Sequence, residues 1–153
     1  MRSWMMLAGF LVLCLVVAGL GGWVTAQSVL EWYPTLNKPS WTPPSWLFGP
    51  VWTALYVMMA VAAWLVWKAG QSKGALLLFG AQLLLNLAWS FLFFGARSPG
   101  LGLIDIVLLW LAIAATIFAF ALRSRIAAFL MVPYLAWVSF ATALNVAIFI
   151  LNP

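Results

Sequence analysis

The sequence predicts an all-α integral membrane protein, a single domain over residues 1–153 that forms a five-transmembrane-helix bundle with a long first loop over a ligand pocket. Of the 153 residues, 67% are hydrophobic and only 6% are charged, whereas soluble domains carry about 25% charged residues. The chain also contains five apolar runs of the roughly 20 residues that a helix needs to cross a bilayer. Most of the surface is therefore expected to contact lipid.

The five predicted helices cover residues 4–26, 47–67, 75–94, 101–122 and 126–151. The first run has a signal peptide as its alternative, because Arg2 precedes it and Val24-Thr25-Ala26 resembles a cleavage site. Its apolar stretch is longer than that of a usual signal peptide, which favours a helix. The breaks after helices two, three and four are short, so these helices are expected to be antiparallel neighbours.

The only long connection lies between helices one and two, from about residue 27 to residue 49. Four prolines disfavour a regular helix there: Pro34, Pro39, Pro43 and Pro44. Glu31 falls in this predicted loop, where we expect a solvated carboxylate. Long loops in compact domains are usually functional, so this loop is a candidate roof for a binding site.

The basic residues predict how the chain is oriented in the membrane. One side holds Arg2, Lys68, Lys73, Arg123 and Arg125, and the other holds only Lys38 and Arg97. Because cytoplasmic loops carry the excess of basic residues, the N-terminus of this multi-pass protein is predicted to be cytoplasmic and the long loop to lie outside. The charges are scattered, so no nucleic acid is expected as a partner.

Several kinds of chemistry are excluded by composition. The chain has no histidine and one cysteine, so imidazole metal sites, His-based triads and an internal disulfide are impossible. Cys14 lies in an apolar run and is interpreted as a small core residue. Asp105 is expected within the first turn of helix four, where a carboxylate satisfies free backbone N–H groups.

Polar side chains in the predicted helices concentrate in the outer half of the bundle. A buried amide in a membrane is costly and normally faces the bundle interior or a cavity, so these residues predict one cavity beneath the long loop. Asn86, Trp89 and Ser90 share a helix face with Gln82, and hydrogen bonding between helices is the alternative role for them. The other residues at this level are Trp52, Thr53, Tyr56, Tyr134, Trp137, Thr142 and Asn145.

Trp137 is the tryptophan that an interfacial aromatic belt explains least well, because it lies in the middle of a predicted span. It shares a helix face with Ala141 and Asn145. A buried indole beside a small residue forms a flat wall with room in front of it, which suits a flat, mostly apolar ligand. Lys38 in the loop is a candidate contact for an anionic edge of such a ligand.

The string Trp41-Thr42-Pro43-Pro44, followed by Phe48, Trp52 and Tyr56, closely resembles the signature of the TspO/translocator-protein family, the tryptophan-rich sensory proteins. The resemblance covers about residues 8–146. Its further motifs are Trp32-Tyr33, Leu36-Asn37-Lys38-Pro39-Ser40, Gln82, Asn86, Trp89-Ser90, Phe93-Phe94, Asp105, Leu109-Trp110, Pro133-Tyr134-Leu135, Trp137, Phe140-Ala141-Thr142 and Leu144-Asn145.

The resemblance implies a usually dimeric bundle with a pocket under the first loop that binds porphyrins and benzodiazepine-type ligands. Some bacterial members are reported to promote light-dependent porphyrin breakdown with pocket tryptophans, which correspond to Trp52 and Trp137. Animal members follow Leu-Asn with tyrosine and arginine, whereas Val146 follows Asn145 here, so high-affinity cholesterol binding is not expected. The candidate ligand-binding residues are Tyr33, Trp41, Trp52, Tyr56, Asn86, Trp89, Trp137, Ala141 and Asn145.

The leading hypothesis is therefore a membrane receptor or sensor for tetrapyrroles such as protoporphyrin IX or haem, with no intrinsic cofactor, no metal and no catalytic residue. The alternatives are a light-dependent porphyrin-degrading enzyme that uses Trp52 and Trp137, and a small transporter of tetrapyrroles or sterols. A homodimer is expected, because small residues let membrane helices approach closely. Such residues are Ala18 with Gly22, Gly80 with Ala81, and Ala115 with Ala119.

Overall fold

The computed structural model describes residues 2–153, and five long helices account for most of this range. They are α1 (Arg2–Glu31), α2 (Phe48–Ala69), α3 (Lys73–Ser90), α4 (Pro99–Ala121) and α5 (Arg125–Leu151). Each is long and apolar enough to cross a membrane. The predicted five-helix membrane bundle is confirmed.

Consecutive helices run antiparallel, joined by short connections after α2, α3 and α4. Helix α1 packs on α2 and α3, α4 packs on α3 and α5, and α2 packs on α5. We name the two ends of the bundle by this arrangement. The loop end is where α1 and α5 end and α2 and α4 begin, and the opposite end contains the connections α2–α3 and α4–α5.

Local sequence signals explain where the later helices begin and end. Ser98 accepts a hydrogen bond from the backbone N–H of Leu101, and Pro99 occupies the first helical position of α4. Ser124 caps α5 in the same way. Gly70 ends α2 with a φ of 81°, a conformation that glycine adopts without strain.

Helix α1 extends five residues beyond its predicted end at Ala26, so the assignment of residues 27–31 to the loop was wrong. The polar residues of this last turn have partners on the segment that follows α3. Ser28 is buried and donates to the carbonyl oxygen of Phe94, and the Glu31 carboxylate pairs with Arg97 at 3.0 Å. The connection therefore spans residues 32–47, with 3-10 turns at Tyr33–Thr35 and Ser45–Leu47.

Helix α3 does not end as a regular α-helix. It continues into a π-helical segment, Phe91–Gly95, in which the N–H of Ala96 reaches back to the carbonyl of Phe91 at 2.7 Å. Such segments occur frequently at functional sites. Here Phe93 and Phe94 are both buried within the segment.

Helix α4 begins earlier than predicted, which changes the role of Asp105. The cap is Ser98 and no acidic residue lies in the first turn, so the prediction that Asp105 caps this helix was wrong. Its side chain instead lies in the second turn and is buried, with one carboxylate oxygen that has no hydrogen-bond partner.

The half of the bundle at the opposite end is tightly packed. Small residues on α2 bring the helices together, and Phe79 of α3 stacks on Phe120 of α4 with ring centroids 6.0 Å apart. Trp64 fixes α1 to α2 by donating to the Ser3 carbonyl at 2.8 Å and stacking on Trp4. The α2 residues without exposed surface are Met59, Ala60, Ala62, Ala63 and Val66.

Candidate functional site

A cavity of about 440 Å³ occupies the loop-end half of the bundle. Helices α1, α2, α3 and α5, the π-helical segment and Tyr33 of the loop all contribute to its lining. Its volume falls within the range of about 300–1,000 Å³ that is usual for small-molecule sites. The cavity therefore lies where the sequence predicted one.

Aromatic rings form two walls of this cavity. On one wall, Trp52 of α2 meets Trp137 of α5 edge to face, with centroids 6.5 Å apart, and Phe48 contacts the same indole at 6.1 Å. On the other wall, Trp89 of α3 stacks on Phe93 of the π-helical segment at 5.1 Å. Because the rings contact each other, their orientation is fixed without a ligand.

A chain of hydrogen bonds, which we call the floor network, underlies the cavity. It comprises Tyr56, Gln82, Asn86 and Tyr134, all buried. The Tyr56 hydroxyl donates to Asn86, the Asn86 amide donates to the Tyr134 hydroxyl at 2.6 Å, and that hydroxyl donates to Gln82 at 2.7 Å. The network ties together α2, α3 and α5.

The floor network resolves the two roles weighed for the polar face of α3. Asn86 and Ser90 line the cavity, and Asn86 also bridges two helices. Gln82 lies below the cavity and only bridges, because it accepts from Tyr134 and does not contribute to the lining. Both roles therefore occur on one face.

Two polar atoms in the lining are buried and have no partner within the described residues. They are the hydroxyl of Tyr33 and the indole nitrogen of Trp137. A buried polar group without a partner costs about 1–3 kcal/mol, and a ligand acceptor would remove that cost. Burial raises the pKa of Tyr33 to about 12, so its hydroxyl remains a hydrogen-bond donor at neutral pH.

Asn145 connects the α5 wall to two other helices. Its side-chain oxygen accepts from the Trp89 indole at 3.0 Å, and its amide donates to the Pro99 carbonyl at 2.8 Å. Gly102 permits this approach, since a Cβ there would lie 3.1 Å from the Asn145 oxygen and 3.0 Å from Phe93. Asn145 therefore holds Trp89 in position.

The structure brings eight of the nine candidate residues into one cavity lining: Tyr33, Trp52, Tyr56, Asn86, Trp89, Trp137, Ala141 and Asn145. Trp41 does not line the cavity, because it packs edge-on against Phe140 and remains 47% exposed. Lys38 does not line it either. Its ammonium group donates to the carbonyls of Tyr33 and Leu36, which makes it a cap for the first 3-10 turn.

Sequence reasoning missed two groups of lining residues. Phe140, Leu144 and Ile148 continue the helix face of Trp137, and their spacing of three and four was a usable signal. The second group is the small-residue face of α1, which is unusual on a helix whose other faces are bulky. Its members are Ala18, Gly21, Gly22, Thr25 and Ala26.

None of the residues that line the cavity, among those the structure describes, carries a charge. Within residues 2–153 there is also no group of three or more acidic, cysteine or histidine side chains that could hold a metal ion. The site as built offers flat apolar surfaces and neutral hydrogen-bond donors.

Comparison with known proteins gives one family and several close relatives. Residues 10–151 match the model of the TspO/MBR family. The chain is 51% identical to a protein named tryptophan-rich protein TspO from Chlorobaculum tepidum, covering 92% of each chain. It is 42% identical to the translocator protein of Sus scrofa, covering 93% of this chain and 87% of that one. It is 39% identical to the tryptophan-rich sensory protein of Cereibacter sphaeroides, covering 94% and 89%.

Proposed function

Because the chain belongs to the TspO/MBR family, we propose that it is a membrane receptor whose cavity binds a flat, mostly apolar ligand of the tetrapyrrole class. The observation that carries the proposal is the aromatic cavity of about 440 Å³ with unpartnered donors at Tyr33 and Trp137. A relative that covers most of the chain is named a sensory protein, which supports a receptor role.

The lining offers a tetrapyrrole two kinds of contact. The indoles of Trp52 and Trp137 are suited to a flat ring, and the Trp137 N–H and Tyr33 hydroxyl are donors for its acceptor atoms. Since no charged side chain lines the cavity among the described residues, the propionates of a porphyrin would not be neutralised inside it. We expect them at the exposed edge, near Ser45 and Gly49.

Titration of protoporphyrin IX into the protein in nanodiscs, followed by tryptophan-fluorescence quenching, tests the proposal. Stacking of a flat base on an aromatic ring is worth about 1–3 kcal/mol, so Trp137→Ala is expected to weaken binding by about tenfold or more. Trp137→Phe keeps an aromatic face without the N–H, so its affinity is expected to lie between those of the parent and Trp137→Ala.

Trp67→Ala is the matched control, since it also removes one of the eleven tryptophans but lies outside the cavity lining. Its affinity is expected to equal that of the parent. Equal affinity of Trp137→Ala and the parent would contradict the assigned role of Trp137. No quenching of the parent at any porphyrin concentration would reject the proposed ligand class.

Illumination separates a receptor from the light-dependent enzyme that the family resemblance raised. We propose that the protein binds porphyrin without converting it. Mass spectrometry of protoporphyrin illuminated with the parent should then show the same products as porphyrin illuminated with the Trp52→Phe/Trp137→Phe protein. A product formed only with the parent would assign the protein to the enzymes.

We also propose that the N-terminus is cytoplasmic and that the loop end faces the outside of a bacterial cell membrane. Five basic residues lie at the opposite end of the bundle, which also contains the N-terminus, and two lie at the loop end. This distribution supports the orientation. A C-terminal reporter that is active only in the cytoplasm should be silent. Strong activity of that reporter would reverse the orientation.

Self-association remains part of the proposed function. Gly80 and Ala81 leave small residues on the surface of α3, and a Cβ at Gly80 would meet nothing within 4 Å. Ala18 and Gly22 of α1 instead line the cavity. We propose a homodimer, and light scattering that finds only monomers in nanodiscs and in several detergents would contradict it.

A further inference from the structure

We infer that the ligand of this receptor reaches the cavity sideways from the bilayer, between the loop-end halves of α1 and α2, and not through the loop above it. We call this path the lateral opening and define it by Gly22, Ala26, Ser45, Gly49 and Thr53. The inference takes its ligand from the proposed function and its path from the packing of the helices.

Exposure of the cavity lining is confined to one side. The lining residues contributed by α3, the π-helical segment and α5 are all buried or half-buried. The exposed lining residues are the five of the lateral opening, which belong to α1, to α2 and to the 3-10 turn before α2. In a membrane bundle, an exposed side of this kind faces lipid.

The fixation of α1 explains why this side is open. At the loop end, α1 is held by the segment after α3, through the hydrogen bond from Ser28 to the Phe94 carbonyl and the ion pair of Glu31. A Cβ at Gly21 would lie 3.1 Å from the Ser90 hydroxyl, so α1 and α3 are in close contact. The hydrogen bonds between α1 and α2 within residues 2–153 come from Trp64, at the opposite end.

Two glycines leave the lateral opening without a side chain at their positions. A Cβ added at Gly22 of α1 or at Gly49 of α2 would meet nothing within 4 Å. By contrast, a Cβ at Gly95, where α1 meets the π-helical segment, would lie 3.2 Å from Val24. The gap between α1 and α2 is therefore lined by backbone and small side chains, which let a flat molecule pass edge-on.

The loop above the cavity is fastened at several points. The backbone N–H of Asn37 donates to the Asn152 side chain at 2.9 Å, and the Asn152 amide donates back to the Asn37 carbonyl at 2.9 Å. Lys38 holds the carbonyls of Tyr33 and Leu36. The bonds of Asn37 tie the loop to the end of α5, and those of Lys38 hold the first turn of the loop together, so a path through the roof requires breaking the Asn37–Asn152 pair.

The composition of the lateral opening indicates what passes through it. Its five residues are glycine, alanine, serine and threonine, without charge. A molecule that uses this path must dissolve in the bilayer and be thin in one dimension, with charged groups kept at the headgroup level. The ligand class is therefore a flat amphiphile taken from the membrane and not from water.

Binding kinetics test the path with variants that narrow it. Gly22→Leu and Gly49→Leu are expected to lower the association rate and the dissociation rate of protoporphyrin IX together, each by about tenfold or more, because the added side chain narrows the path in both directions. Stopped-flow tryptophan quenching in nanodiscs measures both rates. A substitution that only disturbs contacts with the bound ligand would instead raise the dissociation rate.

Two controls decide between the lateral path and the roof. Gly19→Leu adds the same side chain to α1 at a glycine with equal free space that does not line the cavity, and its rates should match the parent. Asn152→Ala loosens the roof and should leave the association rate unchanged. The inference is overturned if Gly22→Leu and Gly49→Leu behave like Gly19→Leu, or if Asn152→Ala raises the association rate about tenfold.

A measurement without ligand keeps this inference separate from the proposed function. In a Cys14→Ala background, a spin label on Gly22→Cys should collide with membrane-dissolved oxygen more than with a water-soluble nickel complex, like a label on the exposed Leu84→Cys of α3. Nickel accessibility like that of the loop label on Ser40→Cys would overturn the lateral opening. If the parent binds no porphyrin, the proposed function fails while the spin label still decides the path.

Discussion

The two halves of the bundle are built from the same five helices but solve packing in opposite ways. In the half at the opposite end, alanines of α2 such as Ala60 and Ala63 have no exposed surface and let the neighbouring helices close on one another. In the loop-end half, the same helix carries Trp52 and Tyr56, whose rings contact other rings and leave a space between the walls. The floor network separates the two halves.

This difference shows that the cavity comes from the placement of large side chains and not from a lack of them. Rings that meet edge to face hold the helices apart, as Trp52 and Trp137 do, whereas alanines allow close contact. The π-helical segment adds Phe93 and Phe94 to the second wall. A cavity in a membrane bundle can therefore be lined mainly by large side chains and still remain open.

The largest expected effect comes from adding the same side chain to each half. Ala63→Leu inserts three carbons into a packed core and is expected to cost up to about 3 kcal/mol of unfolding free energy. Ala141→Leu places them in the cavity and is expected to cost less than about 1 kcal/mol, while weakening porphyrin binding. Unfolding in mixed micelles with increasing SDS measures both, and equal destabilisation would remove the contrast between the halves.

Removing the centre of the floor network is expected to have the next largest effect. Asn86→Leu leaves the Tyr56 hydroxyl without its acceptor and removes the donor to Tyr134. Hydrogen bonds between membrane helices are worth about 0.6–1.7 kcal/mol each, so a loss of about 2 kcal/mol is expected in the same assay. Gln82→Leu removes the bond from Tyr134 and a weak one to the Met59 sulfur, so it should cost about half as much, and the reverse order would contradict the proposed connectivity.

A smaller effect is expected where the loop is fastened to α5. Asn152→Ala removes the two reciprocal bonds with Asn37, both of them exposed, which we expect to contribute about 1 kcal/mol together. Limited proteolysis within residues 36–44 should then accelerate by about fivefold. Asn152→Asp keeps the acceptor but not the donor, so its cleavage rate should lie between those of the parent and Asn152→Ala. An unchanged cleavage rate in Asn152→Ala would show that the roof is held elsewhere.

The smallest expected effect is the change in ligand affinity when the pH is varied around neutrality. Because burial raises the pKa of Tyr33 from 10.0 to about 12, the hydroxyl stays protonated and affinity should be flat from about pH 6 to about pH 9. In the folded chain the proton is kept between those two pKa values and in the unfolded chain it is lost, so stability falls as pH rises only in that window. At high pH, the unfolding temperature of Tyr33→Phe should fall less steeply with rising pH than that of the parent. An identical fall would exclude Tyr33 as the cause.

Much of the fold could be predicted from the sequence, because span length and hydropathy fix the helices of a membrane protein almost by themselves. The errors lie where a polar residue has a partner far along the chain. The polar residues Ser28 and Glu31 end the apolar run of α1, yet the helix continues through both of them. Ser28 has a hydrogen-bond acceptor in the Phe94 carbonyl, and Glu31 has an ion-pair partner in Arg97. No local pattern reveals partners 66 residues away.

The candidate site was predictable for the opposite reason. Asn86, Trp137 and Asn145 are residues that a lipid-facing surface excludes, so their depth alone placed them in a cavity. Glycine and alanine carry no such signal, and Ala18 and Gly22 of the α1 wall were therefore interpreted only as one of three candidate dimer contacts. The π-helical segment was also invisible, because its sequence, Phe91-Leu92-Phe93-Phe94-Gly95, has no feature that distinguishes it from an α-helix.

The π-helical segment makes the second wall of the cavity sensitive to the number of residues at the end of the third helix. Such a segment is an α-helix with one residue inserted, and each α-helical residue turns the chain by about 100°. Because the wider turn absorbs the inserted residue, deleting one residue within Phe91–Gly95 would restore a regular α-helix, change which side chains of the segment face the cavity, and leave Arg97 in nearly the same register. Among proteins of this architecture, a one-residue insertion or deletion at the end of the third helix would therefore exchange the aromatic side chains on this wall while leaving the rest of the bundle in place.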